Sequence, residues 1–140
     1  MPMKNEERGK LIAAYFGRRE LIAPTTLYIG LSSTQPLSDG TGFTEPTIGA
    51  STGYYRVAIN NISDNFTAPS SGSAWMVSNV NPVEFLEVVT NLGNVNYYFI
   101  SDVATGGTAL CYGTLPATIA LGQYTSVRIN AGDLKFALSN

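Results

Sequence analysis

The sequence predicts an all-β protein, an antiparallel β-sandwich of the jelly-roll type that carries one short N-terminal α-helix. From Thr26 onward, apolar and polar residues alternate with a period of two, the pattern of strands with one buried face. Turn residues separate most of these segments, and 140 residues suffice for one core without disulfides or metals. An up-and-down barrel is the competing architecture. We expect residues 1–24 to form a helical arm and residues 25–140 the sandwich domain.

The one convincing helix covers residues 5–16. Asn5 is a suitable N-cap, and Gly17 is suited to end the helix. Its apolar residues form two pairs spaced by four, which predicts one narrow stripe: Leu11 with Tyr15, and Ile12 with Phe16. A helix of this length is not stable alone, so we expect the stripe to pack on the domain or on a partner subunit.

Eight segments read as strands of roughly six to eight residues, a length usual for strands. They are residues 26–33, 54–60, 75–80, 83–88, 95–101 and 108–115, a strand around Val127, and a last strand around Phe136. Two connections, 35–53 and 64–73, are long and rich in Pro, Gly, Ser and Thr. Long loops in a compact domain are often functional, so we expect contact loops here, with plain solvated loops as the alternative.

Charge is sparse and unevenly distributed along the chain. The net charge is −2, and the first twenty residues hold five basic and three acidic residues. The remaining residues are acidic on balance, which favours contact between the head of one copy and the body of another, or contact with an acidic neighbour. A solvated helix face is the simpler interpretation. Clustered cations for nucleic acid are missing, and no apolar run approaches a membrane span. We therefore expect neither nucleic acid nor membrane as a partner.

The residues offer little for catalysis. The sequence has no histidine and a single cysteine, Cys111, in an apolar run that predicts a buried thiol. The usual Ser-His and Cys-His pairs are impossible, and the carboxylates are scattered along the chain. We expect no enzyme, no catalytic residue, no metal site and no cofactor. A lytic enzyme with two distant carboxylates is the remaining catalytic alternative.

Candidate binding residues fall into two groups. The first lies on the helical arm and is a candidate surface for a partner or a sister subunit: Arg8, Leu11, Ile12, Tyr15, Phe16, Arg18 and Arg19. The second contains aromatic residues that alternation does not place inside: Tyr54, Trp75 and Tyr98. Tyr and Trp combine contact area with a polar atom, which suits an interface or a sugar platform. Their alternative role is at the edge of the core.

The order of these elements resembles a broad group of small virion proteins of tailed bacteriophages. The resemblance lies in the short helix, the strand 26–33 followed by a Pro, and the polar loop that contains Glu45. It continues through residues 53–59, the segment 81–85, the hairpin 98–115 and the ending 131–134. The chain departs at Tyr55, where such proteins commonly have alanine, and in its longer 61–74 region.

The resemblance implies a role in the virion, which is assembled in the host cytoplasm. We expect a capsid decoration (cement) protein that binds and stabilises the shell of major capsid protein, as a homo-oligomer, either a dimer or a trimer. A single compact domain without heptads or fibrous repeats favours this role. The alternative is a small tail or tail-fibre component, which could bind a host glycan as its receptor.

Overall fold

The computed structural model describes residues 3–69 and 76–137, and these residues are mostly β-structure. The chain begins with one α-helix, α1 (Asn5–Tyr15). Eight strands follow within the described residues: β1 (Thr26–Ser32), β2 (Val57–Asn60), β3 (Met76–Ser78), β4 (Val83–Glu84), β5 (Gly93–Ser101), β6 (Cys111–Leu121), β7 (Arg128–Ile129) and β8 (Lys135–Ala137). A short 3-10 helix covers Ser63–Asn65. The predicted class, all-β with a short N-terminal helix, is confirmed.

The largest sheet has four antiparallel strands in the order β2-β1-β5-β6. β1 is one of its two inner strands, and Ile29 of β1 lies opposite Val57 on one side and Ile100 on the other. The register between β5 and β6 shifts between Val95 and Tyr97, an irregularity of the β-bulge type. The predicted strand 26–33 is thus correct to one residue.

The other strands form two short antiparallel pairs, β3 with β8 and β4 with β7. Along the chain, the β5–β6 pair lies between β4 and β7, and the β4–β7 pair lies between β3 and β8. These six strands therefore have the order of one long hairpin. A single core joins the four-stranded sheet to the short strands. Its buried apolar side chains include Ile29, Leu31, Val83, Phe85, Val88, Val95, Ile100, Leu115, Leu121, Val127, Ile129 and Leu134. This layered arrangement agrees with the predicted sandwich.

The loop 33–56 covers the face of the large sheet that lies away from this core. The Phe43 ring packs on Phe99 of β5, with 4.5 Å between ring centroids. Ser32 Oγ accepts a hydrogen bond from the backbone N–H of Thr44 at 2.9 Å. Gly30 lies under this cover, and a Cβ there would be 2.8 Å from a Glu45 carboxylate oxygen. The predicted contact loop therefore packs extensively on its own sheet.

The helix boundaries differ slightly from those expected. The N-cap position belongs to Lys4, no side chain caps the helix, and Asn5 is already its first residue. The predicted cap at Asn5 is therefore wrong. Gly17 follows the helix with a φ of 70°, the left-handed conformation that glycine adopts readily at a helix end.

Two of the three predicted surface aromatics are buried, which corrects that prediction. Tyr54 is 1% exposed and Tyr98 is 4% exposed. Tyr54 precedes β2, so strand alternation does not govern it, and its hydroxyl donates to Glu45 Oε2 at 2.9 Å. Tyr98 lies on β5 opposite Gly113, whose missing side chain leaves room for the tyrosine ring. Trp75 lies outside the described residues.

Candidate interaction site: the N-terminal arm and the adjoining groove

The base of the N-terminal arm is attached to the body by backbone hydrogen bonds. The Lys4 N–H donates to the Leu110 carbonyl at 2.7 Å, and the Asn5 N–H donates to the Ser38 carbonyl at 2.9 Å. Lys4 Nζ also donates to Thr108 Oγ1 at 3.1 Å. These bonds explain why the helix begins where it does without a side-chain cap. The first turn is anchored by the body.

The far end of the arm is attached as well. The Asn61 side-chain amide donates to the Pro24 carbonyl at 2.8 Å, and the Asn61 N–H donates to the Thr25 carbonyl at 2.9 Å. Residues 6–23 therefore form a segment that leaves the body, and hydrogen bonds attach both of its ends to the body. None of the residues of α1 is fully buried.

The segment 6–23 carries exposed apolar side chains. Ile12, Tyr15 and Phe16 are 62%, 86% and 73% exposed, and they are spaced i, i+3 and i+4 on one helix face. The Tyr15 and Phe16 rings meet edge to face, with centroids 5.3 Å apart. Leu21 and Ile22, after the helix, are exposed too. Grouped exposed apolar residues mark interaction sites more often than scattered ones do.

The predicted stripe is thus divided between two environments. Leu11 is half-buried, whereas Tyr15, its partner four residues later, is almost fully exposed. Both members of the Ile12–Phe16 pair are exposed. The body therefore covers only a small part of the stripe, and most of the stripe is exposed.

The charges of the arm are partly paired. Lys10 binds Glu7 at 2.7 Å and Glu6 at 3.3 Å, and these contacts raise the pKa of Lys10, chiefly through the hydrogen bond to Glu7. Lys4 binds Glu6 at 2.9 Å. The other three basic residues of the arm form no ion pair within the described part of the chain: Arg8, Arg18 and Arg19. Five carboxylates of the body form none there either: Asp39, Asp64, Glu87, Asp102 and Asp133. Among the charged groups that form no ion pair, those of the arm are therefore mainly basic and those of the body acidic, as the sequence predicts.

A groove of about 670 Å³ lies beside the base of the arm. Its walls are mostly apolar and come from distant segments of the chain, among them Leu27, Ile62, Phe66, Val77, Ile100, Leu110, Cys111 and Phe136. The arm contributes Met3, which forms a β-bridge with Cys111, and Glu7. Desolvation raises the pKa of the Cys111 thiol to about 12, and the residue is half-buried, so the predicted buried thiol is confirmed only in part. A groove of this composition suits an apolar helix face.

An ion pair inside the body holds two loops together. Arg56 Nε donates to Glu45 Oε2 at 2.9 Å, and Nη2 donates to Oε1 at 2.8 Å. The same guanidinium donates to the carbonyls of Val103 and Gly106 at 2.7 Å and 2.9 Å. Its Cζ lies 5.1 Å from the centroid of the Phe99 ring. All of these groups have partners, so the cluster stabilises the fold and offers no vacant site.

Sequence reasoning missed this ion pair. Alternation from residue 54 placed Arg56 on the outer face, yet it is 8% exposed. A signal was available, because Arg56 is the only basic residue between Arg19 and Arg128. An isolated cation in a neutral strand needs a nearby carboxylate, and the adjoining loop contains Glu45.

Two further observations concern the described residues only. No three Asp, Glu or Cys side chains among them lie close enough to hold a metal ion. No helix in residues 3–69 or 76–137 has the length and apolar character needed to cross a membrane.

The described residues thus form an antiparallel β-body with an attached arm that exposes apolar side chains. The chain belongs to the family described as podophage GP4 fiber I protein gp80, whose model matches residues 2–137. It is therefore a small structural protein of the virion of a tailed bacteriophage, and the predicted resemblance is confirmed. None of the curated proteins compared with the chain matches it.

Proposed function

We propose that the chain is a fibre-type component of a podophage tail, which acts by binding other virion subunits. The observation that carries this proposal is the family match over residues 2–137, which includes the arm and the body together. The family is named for a fibre, and this name supports the tail-fibre alternative over the capsid decoration role that the sequence favoured.

The structure supplies a physical basis for a binding role. The body has a continuous apolar core and a buried ion pair whose groups all have partners, so it can hold its shape without a partner. The arm presents Tyr15 and Phe16 to solvent, and these contribute little to that core. We infer that the arm provides a contact between subunits of the virion.

We also infer that the chain is not an enzyme. A structural fibre family supports this view, and the absence of histidine from the whole sequence removes the commonest proton carrier. Purified protein should release no product from host cell-wall material or capsular polysaccharide. Turnover that is lost when a pair of carboxylates is neutralised would contradict this inference.

Two of the three candidate sugar-stacking residues do not support a receptor role in glycan binding, and the third, Trp75, lies outside the described residues. Tyr54 and Tyr98 are buried, so neither can stack on a sugar ring at the surface. We therefore limit the proposal to a structural role in the tail.

Labelling of intact particles tests the location. Gold-conjugated antibodies raised against the purified chain should bind at the tail when virions are viewed by electron microscopy. Antibodies against the major capsid protein, used on the same particles, serve as the control for labelling of the shell. Regular labelling over the capsid by the first antibody would overturn the tail proposal and restore capsid decoration.

A further inference from the structure

We propose that the groove beside the arm is the acceptor for the arm of a second copy of this chain. The inference rests on the proposed function in one respect, because it names the subunit that the arm contacts. The donor surface is the exposed face formed by Ile12, Tyr15 and Phe16. The acceptor surface is the groove with Ile62 at its exposed side and Phe66 and Phe136 in its wall.

The two surfaces match in chemistry. Anchors at i, i+3 and i+4 on a helix are the pattern by which an apolar helix face enters a hydrophobic groove. The donor face has this spacing and carries two aromatic rings. In the acceptor, Phe66 and Phe136 meet edge to face with centroids 6.3 Å apart, which leaves ring surface for additional aromatic contacts.

The arm cannot easily fill the groove of its own chain. Its two ends are held by the hydrogen bonds of Lys4 and Asn61 described above. Among the arm residues that the structure describes, Met3 and Glu7 line the groove, and the exposed face of α1 is not part of its wall. These hydrogen bonds do not restrict how the arm of a second copy approaches this groove.

Charge favours the same pairing. Among the described residues of the groove wall, Glu7 is the one charged side chain, and its carboxylate is bound to Lys10. Asp64 is exposed directly after Ser63, which lines the groove, and it has no ion-pair partner among the described residues. An entering arm brings Arg18 and Arg19, which also lack such partners. Attraction of this kind mainly speeds association and selects the partner.

Exchange of arms has a geometric consequence. Each copy carries one donor and one acceptor, so reciprocal exchange closes a symmetric dimer, and head-to-tail exchange gives a ring where the rotation between copies closes. Either form would be the homo-oligomer that the sequence predicts.

Analytical ultracentrifugation of the purified chain gives the first test. The wild type should self-associate, and the variant Tyr15→Ser/Phe16→Ser should associate at least tenfold more weakly, because central aromatic residues dominate such contacts. The control variant Leu86→Ser/Tyr124→Asn removes two residues of the body that are 65% and 67% exposed, and it should associate as the wild type does. A wild type that stays monomeric, or equal losses in both variants, would overturn the proposal.

A mixing experiment then identifies the acceptor. Ile62 lines the groove and is 52% exposed, so Ile62→Asp should block the acceptor without unfolding the body. This variant alone should be as weakly associated as the arm variant. When the two are mixed, the intact arm of the Ile62→Asp chain can enter the intact groove of the other, so mixed complexes should form.

Circular dichroism should first establish that both variants are folded. If Ile62→Asp associates normally, the arm does not enter the groove and the inference fails. Failure to form mixed complexes would also overturn it. These results are independent of where the antibodies bind on the virion, so this inference and the proposed tail location can fail separately.

Discussion

Two phenylalanines illustrate the difference between the body and the arm. Phe99 in β5 is fully buried, with Phe43 on its ring and the guanidinium of Arg56 5.1 Å away. Phe16 at the end of α1 is 73% exposed and touches the ring of Tyr15, which is itself exposed. Burial of such a side chain contributes roughly 1.5–3 kcal/mol to folding. The chain obtains this contribution from Phe99 and leaves Phe16 available for a partner.

The charged residues divide in the same way. The Glu45–Arg56 pair is buried and fully hydrogen-bonded, and it connects the loop 33–56 to the carbonyls of Val103 and Gly106. Arg18 and Arg19 form no ion pair among the described residues. The comparison teaches that one chain can separate the residues that maintain its fold from those that contact other molecules.

The largest expected effect comes from truncating each phenylalanine in turn. Phe99→Ala should reduce the free energy of unfolding by about 3–5 kcal/mol, because it leaves a cavity under the loop. Phe16→Ala should change it by less than about 0.5 kcal/mol. Urea denaturation at a protein concentration low enough to keep the chain monomeric measures both values. Similar losses would mean that the arm belongs to the folding unit.

The second prediction concerns the buried ion pair. Glu45→Gln should reduce the free energy of unfolding by about 3 kcal/mol, because the Arg56 charge remains buried without its counter-charge. Glu84→Gln is the matched control, since Glu84 pairs with Arg128 at 3.1 Å but both side chains are more than half exposed. Its cost should be below about 1 kcal/mol. If both changes cost the same, burial would not be what distinguishes these pairs.

A third prediction compares two glycines. Gly30→Ala should cost about 1–3 kcal/mol, because the new methyl group would overlap the Phe99 ring and approach Glu45. Gly9 lies inside α1, and an added Cβ there would meet no atom within 4 Å from the rest of the described chain, apart from the adjacent helix backbone. Gly9→Ala should therefore stabilise the protein by about 0.5–1 kcal/mol through helix propensity. Urea denaturation should therefore show a lower free energy of unfolding for Gly30→Ala and a higher one for Gly9→Ala. A lower free energy of unfolding in both variants would contradict this account of the arm.

The fourth prediction concerns the Cys111 thiol. Its pKa of about 12 is above the usual value of about 8.5, so the neutral thiol is favoured in the folded state. The preference of the folded state for the neutral thiol contributes fully to stability below about pH 8.5, and this contribution is lost as the pH rises towards 12. At pH 8, a thiol-reactive dye should modify the folded chain at least tenfold more slowly than the chain in urea. Because the sequence has only this cysteine, the signal is unambiguous. Equal rates would mean that the fold neither raises the pKa of the thiol nor protects it.

The sequence predicts the fold class well, because strand alternation and turn residues are local signals. The bounds of β1 and α1 are correct within one residue. Alternation fails at Tyr54 and Tyr98, which both belong to the apolar core, because Tyr54 lies outside a regular strand and the register of β5 shifts just before Tyr98. It fails at Arg56 because it assumes that only one face of a strand is buried. In this protein the loop 33–56 covers part of the second face, and no local pattern indicates where a loop will pack.

The candidate site is predictable only in part. The exposed residues of the arm follow from helical spacing, and Ile12, Tyr15 and Phe16 lie on the surface. The groove does not follow, because its walls join segments from Met3 to Phe136 that are brought together only by folding. Its position next to the arm depends on the β-bridge between Met3 and Cys111, for which the sequence has no visible signal.

The dependence of unfolding on protein concentration tests the central claim most directly, because it separates folding from association in one measurement. Association of folded chains stabilises them by mass action. The urea midpoint of the wild type should therefore rise with protein concentration. The midpoint of Tyr15→Ser/Phe16→Ser should stay constant and equal the wild-type value at high dilution. A wild-type midpoint that does not change with concentration, or a variant that is less stable at every dilution, would contradict the separation of a folding body from a binding arm.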